Sequence, residues 1–205
     1  MHALSRLLSR LGKLSVAKGE CEEHGAFEAF VMNERAPRCP TCHQRERRVQ
    51  DVLQANARRL AWLMEVAHIP ARYAGAGFKT FIPHTPAQRE VLARFKRYLA
   101  GFGKAVEQGG GLIVTGGVGT GKTHLVCALA NNILHQYGRA VRYCTAQQML
   151  AEIKATYGQE DKSEAGEVAR FAAYDLLILD EVDMHRGSET DLLLLFAVIN
   201  QRYNA

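Results

Sequence analysis

The stretch GLIVTGGVGTGKTHL, residues 111–125, decides the fold that this sequence predicts. It opens with a short apolar run of the kind that forms a buried strand, passes through a glycine-rich turn and ends in a helix-forming run. Within it, GGVGTGKT at residues 116–123 fits the pattern G-x-x-x-x-G-K-[ST]. In a strand–loop–helix context this pattern favours a phosphate-binding loop over a chance glycine-rich turn.

The binding of a phosphate explains why the motif needs each of these residue types. Glycines let the backbone come close enough to a phosphate for N–H groups to surround it. The helix that starts at Gly121 adds the positive end of its dipole. We expect the Lys122 ammonium to reach the β- and γ-phosphates of ATP and the Thr123 hydroxyl to bind Mg²⁺. The predicted nucleotide-binding residues are Gly116, Gly117, Val118, Gly119, Thr120, Gly121, Lys122, Thr123 and His124.

A second apolar run, LLILDE at residues 176–181, ends in two carboxylates. Asp180 stands at the C-terminal end of this predicted strand, where ligands collect in α/β sheets. We expect Asp180 to hold Mg²⁺, directly or through water, and Glu181 to be the general base for a hydrolytic water. Adjacent acids often only cap a strand, but after a phosphate-binding loop they favour an ATPase. The predicted catalytic residues are therefore Glu181, Lys122 and Asp180.

Predicted strands and helices alternate from residue 109 to residue 205, with strands at GLIVTG, AVRYCT and LLILD. This alternation is typical of an α/β fold in which helices cover both faces of a parallel sheet. Upstream, an amphipathic helix is expected from about residue 45 to Ile69. A second helix is expected to begin at a capping box formed by Thr85 and Gln88, with Pro86 in its first turn.

Four residues near the N-terminus have the spacing of a metal site: Cys21-x2-His24-x14-Cys39-x2-Cys42. Three thiolates and one imidazole from two tight knuckles suit a tetrahedral, structural Zn²⁺. The alternatives are a redox pair, for which no βαβ context is evident, or cysteines without metal. His43 is a rival to His24 as a ligand. The remaining cysteines, Cys127 and Cys144, lie in apolar segments and are expected to be buried, inert thiols.

The composition limits the class of protein. A chain of 205 residues suits one medium domain with a small appendage, and its net charge of +5 is only a weak signal for an anionic partner. The N-terminal run MHALSRLLSRLGKL reads as a short amphipathic helix, and no run is long enough for a membrane span. We therefore expect a cytoplasmic protein. The expected organisation is a zinc-binding head at 1–44, a helical linker and lead-in at 45–105, and a P-loop ATPase core at 106–205.

Together these segments resemble a known family. GGVGTGKTHL, AVRYCTAQQMLAEIKATY and DLLILDEVDMHRGSETDLLLLFAVINQRYN, with the lead-in IPARYAGAGFKTFIP, look like the AAA+ core of bacterial and phage replicative-helicase loaders of the DnaC type. Transposition ATPases of the IstB type are close relatives and look similar. The segments CEEHGAFEAF and RCPTC are similar to the N-terminal zinc-binding segment of phage and prophage loaders.

The resemblance implies partners and a mechanism. The N-terminal part would dock onto a hexameric replicative helicase, and ATP-controlled assembly would place that ring on single-stranded DNA. Residues 69–73 would lie near the adenine, and a helical element at 146–173 would face the DNA. There Lys154, Lys162 and Arg170 would either touch phosphates or form a solvated face. Because AAA+ proteins complete their site with a neighbouring subunit, a homo-oligomer is expected.

Other functions stay open at this point: an IstB-type regulator that coats DNA, a catalytically defective helicase-binding module, or a small-molecule kinase, for which neither acceptor pocket nor lid is evident. The resemblance also implies a sensor strand, between the P-loop strand and LLILD, and an arginine finger. Neither follows within the 205 residues, so the core is expected to be C-terminally incomplete. Two strands would then flank a gap, and this chain would bind nucleotide weakly and hydrolyse it poorly.

Overall fold

The computed structural model describes residues 14–32, 35–159, 161–182 and 188–204. Its contacts divide the chain into a head unit, Met1–Arg58, and a core unit, Arg59–Ala205. The amphipathic helix predicted for the first fourteen residues lies outside the described residues, apart from Leu14. None of the helices within the described ranges is long and apolar enough to cross a membrane.

The head unit is built on a β-hairpin followed by a helix. Strands β1 (Leu14–Cys21) and β2 (Gly25–Met32) pair antiparallel, from Leu14 opposite Met32 to Cys21 opposite Gly25. Few of the apolar side chains in this hairpin are buried, and Phe30 is 76% exposed. An isolated two-stranded hairpin is at best marginally stable in water. The hairpin therefore needs a stabilising interaction other than an apolar core.

Helix α1 (Pro40–Val66) is the helix predicted for the region from residue 45 to Ile69, but with different ends. It starts earlier, so that Cys42 lies in its first turn, and it stops before the predicted boundary. His68 takes a left-handed backbone conformation with φ of 52°, and a right-handed helix cannot continue through it. The helix therefore ends at Val66, four residues before Pro70.

In the part of the core unit that the structure describes, helices alternate with two parallel strands. Strands β3 (Val141–Thr145) and β4 (Leu176–Asp180) pair in parallel, with Val141 opposite Leu176 and Thr145 opposite Asp180. This pairing confirms the predicted α/β class. The other elements are a 3₁₀ turn (Ala71–Tyr73), α2 (Pro86–Ala100), α3 (Phe102–Glu107), α4 (Lys122–Tyr137), α5 (Ala146–Lys154), α6 (Glu164–Ala172) and α7 (Glu189–Tyr203).

Capping boxes, in which two side chains and two backbone N–H groups pair reciprocally, fix where three of these helices start. The predicted capping box of Thr85 and Gln88 is present at the start of α2. Thr145 and Gln148 form the same reciprocal arrangement at α5, and Ser188 does so with Asp191 at α7. Each box satisfies backbone N–H groups that have no partner within the helix.

The β3–β4 pair separates two apolar clusters. On one side the buried face of α4 packs with side chains from α1, α2 and α3, and Val141, Tyr143 and Ile178 belong to this cluster. On the other side Cys144 packs with buried residues of α5, α6 and α7. Successive strand residues point to opposite faces, so a strand covered on both faces reads as a continuous apolar run.

The strand predicted for GLIVTG is wrong. Residues 111–117 pair with no strand in the described ranges, and Ile113 is 95% exposed. An apolar run predicts burial, but a strand also requires a neighbour that completes its hydrogen bonds. A cleft of about 600 Å³ lies between this segment and β4, lined by side chains that include Val114, Leu129 and Ile178.

A buried asparagine on α4 holds the segment that precedes α2. The Asn131 amide nitrogen lies 3.0 Å from the carbonyl oxygen of Tyr73, 3.3 Å from that of Ala74 and 2.8 Å from that of Ala76. The residue is 7% exposed, so water is not an alternative partner. Asn131 therefore fixes the 3₁₀ turn against α4.

We predict that Asn131→Asp lowers the free energy of unfolding by about 3 kcal/mol, because an isosteric carboxylate cannot donate and would face three carbonyl oxygens. Urea denaturation followed by circular dichroism measures this effect. Asn132→Asp is the matched control, since the Asn132 amide donates to Ala128 O within the same helix. Equal losses of unfolding free energy in the two variants would contradict the role of Asn131 in holding the 3₁₀ turn against α4.

Candidate nucleotide and metal sites

The loop between residues 116 and 121 has a backbone that only glycine adopts readily. Gly119 has a φ of 77° and Gly121 a φ of 90°, both in the left-handed region. At Gly121 a Cβ would also lie 2.6 Å from the ring of Phe81. The glycines of the predicted motif are thus required by conformation at both positions and by packing at the second.

Lys122 folds back over this loop. Its Nζ donates to Gly116 O at 2.8 Å and to Gly117 O at 3.0 Å, and the Thr120 hydroxyl also donates to Gly117 O, at 2.9 Å. The ammonium therefore lies on the same backbone turn that the motif uses to surround a phosphate. A charge-assisted bond from this ammonium to phosphate would be stronger than its present bonds to neutral carbonyls.

The two residues predicted to hold Mg²⁺ lie together. The Thr123 hydroxyl donates to Asp180 Oδ2 at 2.9 Å, and the Glu181 N–H donates to Asp180 Oδ1 at 2.9 Å. A hydroxyl and a carboxylate in contact at the end of the phosphate loop fit Mg²⁺, which takes oxygen ligands and keeps several waters. The fold thus joins the two halves of the predicted site, from α4 and from the end of β4.

Glu181, the predicted general base, is exposed and has an unusual backbone. Its φ of 54° is left-handed, a conformation that costs a residue other than glycine roughly 1–2 kcal/mol. Strained residues of this kind cluster at functional sites. The strain therefore marks the residue that follows the site carboxylate.

The lead-in segment lies beside the first turn of α4. His124 Nε2 is 3.1 Å from the Thr80 hydroxyl, and the His124 ring lies 6.3 Å from that of Tyr73 and 5.7 Å from that of Phe81. His124 is the last residue of the predicted nucleotide-binding set. The region expected to lie near adenine, residues 69–73, is thus brought next to the phosphate loop at Tyr73.

Sequence reasoning missed one residue of this site, Tyr143. The Tyr143 hydroxyl donates to Asp180 Oδ2 at 2.9 Å. In the sequence Tyr143 is an ordinary strand residue within AVRYCT, and only the register of β3 against β4 brings it to the carboxylate.

The four predicted zinc ligands form a compact cluster. Cys21 Sγ lies 3.6 Å from Cys42 Sγ, and His24 Nδ1 lies 3.6 Å from Cys21 Sγ, 3.7 Å from Cys39 Sγ and 3.4 Å from Cys42 Sγ. All four ligand atoms lie within 4.8 Å of one another, and the cysteines are free thiols. The cluster contains His24 and does not contain His43.

These separations fit one tetrahedral ion. Zn–S bonds of about 2.3 Å and a Zn–N bond of about 2.0 Å place two sulfurs about 3.8 Å apart and sulfur about 3.5 Å from nitrogen. Two ligands come from the hairpin, while Cys39 directly precedes α1 and Cys42 lies in its first turn. Arg45 on α1 also makes a forked contact with Glu23 in the hairpin turn, at 3.1 and 2.8 Å, which lowers the Glu23 pKa. This exposed pair adds little stability of its own.

The remaining cysteines and the proposed DNA-facing residues have ordinary surroundings. Burial raises the pKa of Cys127 to about 12 and that of Cys144 to about 11, as expected for inert thiols.

The residues expected to face DNA are mostly paired. Lys154 pairs with Asp191, and Arg170 pairs with Glu152 and Glu167. Lys162 is exposed. The charges of Lys154 and Arg170 are therefore balanced within the protein, which favours a structural role for them.

A glycine loop ahead of a helix, whose threonine bonds a carboxylate at the end of a parallel strand, defines a P-loop nucleotide-binding domain. The model of the family "IstB-like ATP binding protein" matches residues 47–205, and the chain belongs to this family.

Individual relatives agree with this assignment. The replicative helicase loader DnaC of Escherichia coli (strain K12) is 23% identical over 130 residues, which cover 63% of this chain and 51% of that protein. The chromosomal replication initiator protein DnaA of Methylibium petroleiphilum is 34% identical over 79 residues, 38% of this chain and 16% of that protein. The chain thus spans about half the length of the DnaC relative.

A solved structure supports the same relationship. The crystal structure of the DnaC helicase loader superposes with a TM-score of 0.58 at 26% identity, covering 65% of this chain and 73% of that one. The resemblance to DnaC-type and IstB-type proteins that the motifs indicated is confirmed.

Proposed function

We propose that this protein is an ATPase that loads a hexameric replicative helicase onto single-stranded DNA and releases the helicase when ATP is hydrolysed. The observation that carries the proposal is the Thr123–Asp180 contact at the phosphate loop, in a fold similar to the DnaC helicase loader. The proposal implies a cytoplasmic protein that oligomerises around the nucleotide.

Each site residue has a role in this proposal. The backbone of residues 116–124 binds the phosphates, and Lys122 balances their charge. Thr123 and Asp180 would hold Mg²⁺, which neutralises negative charge on the phosphates. Glu181 accepts a proton from the water that attacks the terminal phosphate, since its exposed carboxylate follows Asp180 directly.

We further propose that Cys21, His24, Cys39 and Cys42 bind one structural Zn²⁺. The metal would hold the hairpin against the start of α1, and this head would dock onto the helicase. The three-part organisation proposed from the sequence (1–44, 45–105 and 106–205) assigns docking to the first part and nucleotide chemistry to the last.

A second candidate function is an IstB-type regulator that binds DNA for a recombinase, and the family match over residues 47–205 favours it. A helicase-binding module without hydrolysis is the third. The three differ in what they bind: the first needs helicase, single-stranded DNA and ATP turnover, the second needs DNA without helicase, and the third needs helicase alone.

A loading assay on closed circular single-stranded DNA separates these functions, because a ring helicase cannot thread onto DNA without a free end. The assay uses the replicative helicase of the organism that encodes this protein. We expect the protein, with ATP, to increase the amount of helicase that stays on the DNA during gel filtration. Glu181→Gln should still load helicase but not release it. Absence of helicase binding with cooperative binding to duplex DNA would instead support the IstB-type function. Helicase binding without ATP turnover and without retention of helicase on the DNA would support the third.

A further inference from the structure

The Tyr143 side chain connects the buried core to the site carboxylate. Tyr143 is 9% exposed, and its ring belongs to the apolar cluster around α4. Its hydroxyl donates to Asp180 Oδ2 at 2.9 Å, the same oxygen that accepts from the Thr123 hydroxyl at 2.9 Å. A ring held by packing gives its hydroxyl little freedom, so the direction of this bond is fixed by the core.

The phenol stays a donor under ordinary conditions. A phenol hydroxyl keeps its proton at neutral pH and has one hydrogen to donate. Tyr143 therefore donates one bond to Asp180 and carries no charge. Hydrogen bonds to charged groups are stronger than those between neutral groups.

Three donors orient the Asp180 carboxylate. Tyr143 and Thr123 donate to Oδ2, and the Glu181 N–H donates to Oδ1. Because Thr123 gives its only hydroxyl proton to Asp180, the lone pairs of its oxygen remain for a cation. The position of Asp180 thus decides which way the Thr123 oxygen faces, and Tyr143 helps to decide the position of Asp180.

We infer that Tyr143 is a positioning residue of the nucleotide site, which fixes Asp180 and so sets how strongly Mg²⁺ strengthens nucleotide binding. The inference rests on the proposed nucleotide site. If the Tyr143 hydroxyl had only a structural role, its removal would lower stability and leave nucleotide binding unchanged. A positioning role would instead change how much Mg²⁺ increases the affinity for nucleotide.

The test measures the dissociation constant of a fluorescent ATP analogue in Mg²⁺ and in EDTA. For Tyr143→Phe we expect the ratio of the EDTA to the Mg²⁺ value to fall about 3- to 10-fold, with the EDTA value unchanged. Tyr137→Phe is the control, since it also removes one tyrosine hydrogen bond, to Leu99 O at 2.8 Å, but leaves Asp180 untouched. Thermal unfolding of both variants reports any loss of stability separately.

A double-mutant cycle completes the test. If Tyr143 acts through Asp180, Tyr143→Phe should change the ratio no further in an Asp180→Asn background. A wild-type ratio in Tyr143→Phe, or an independent effect in the double variant, overturns the inference alone. Wild-type protein that binds no nucleotide, or binds it equally with and without Mg²⁺, overturns the proposed function together with the inference.

Discussion

Substitution of Lys122 by alanine is expected to weaken ATP binding at least about 100-fold. Lys122 is placed on the phosphate loop by two hydrogen bonds to Gly116 O and Gly117 O, and both can be exchanged for bonds to phosphate. A hydrogen bond to a charged group contributes about 1.5–3 kcal/mol, and 1.4 kcal/mol is a tenfold change in affinity. Two such bonds account for the expected loss. Isothermal titration calorimetry with ATP and Mg²⁺ measures it.

The control for this prediction is Lys96→Ala. Lys96 is an exposed lysine on α2, so its removal lowers the net charge equally without touching the loop. We expect wild-type affinity for this variant and an unchanged circular dichroism spectrum for both. If Lys122→Ala binds ATP within threefold of wild type, the loop does not hold phosphate in the way proposed.

Substitution of Cys39 by serine is expected to remove the metal and unfold the head. Wild-type protein should carry one zinc ion per chain, and the variant should bind zinc at least about 100-fold more weakly, because serine is not a thiolate ligand. The hairpin buries little apolar surface, so the free energy of metal binding is expected to stabilise the folded head. Elemental analysis gives the zinc content, and limited proteolysis reports cleavage between residues 14 and 58.

Two variants control for nonspecific damage. His43→Ala removes the rival histidine, which lies outside the ligand cluster, and should keep its zinc. Cys127→Ser changes a buried thiol of the core unit and should also keep its zinc, with some loss of core stability. Full zinc occupancy in Cys39→Ser, or loss of zinc in His43→Ala, would show that the ion is held by a different set of ligands.

Features that depend on local sequence were predictable. The capping box at the start of α2 follows from Thr85 and Gln88, which lie three residues apart in the sequence. The phosphate loop belongs to this group because its glycines are demanded by the local backbone. The cluster of three cysteines and His24 was predictable from spacing, because two short knuckles can bring four side chains together with little help from the rest of the fold.

Features that depend on partners far along the chain were not predictable. Residues 111–117 have the composition of a strand, but pairing depends on a neighbour that composition does not specify. The head hairpin has few buried apolar positions, so its alternation gives a weak signal. Tyr143 joins the site only through the register of β3 against β4, and register depends on the whole packed sheet.

The left-handed backbone at Glu181 has a consequence for attempts to stabilise this protein. Glycine would adopt a φ of 54° without strain, so Glu181→Gly should relieve roughly 1–2 kcal/mol of backbone energy, partly offset by the greater chain entropy of unfolded glycine. A selection for thermal tolerance alone would therefore tend to accept glycine here and discard the carboxylate. Variants recovered from such a selection would melt later but lack the proposed general base, so screens of this chain need both a thermal and an ATPase readout.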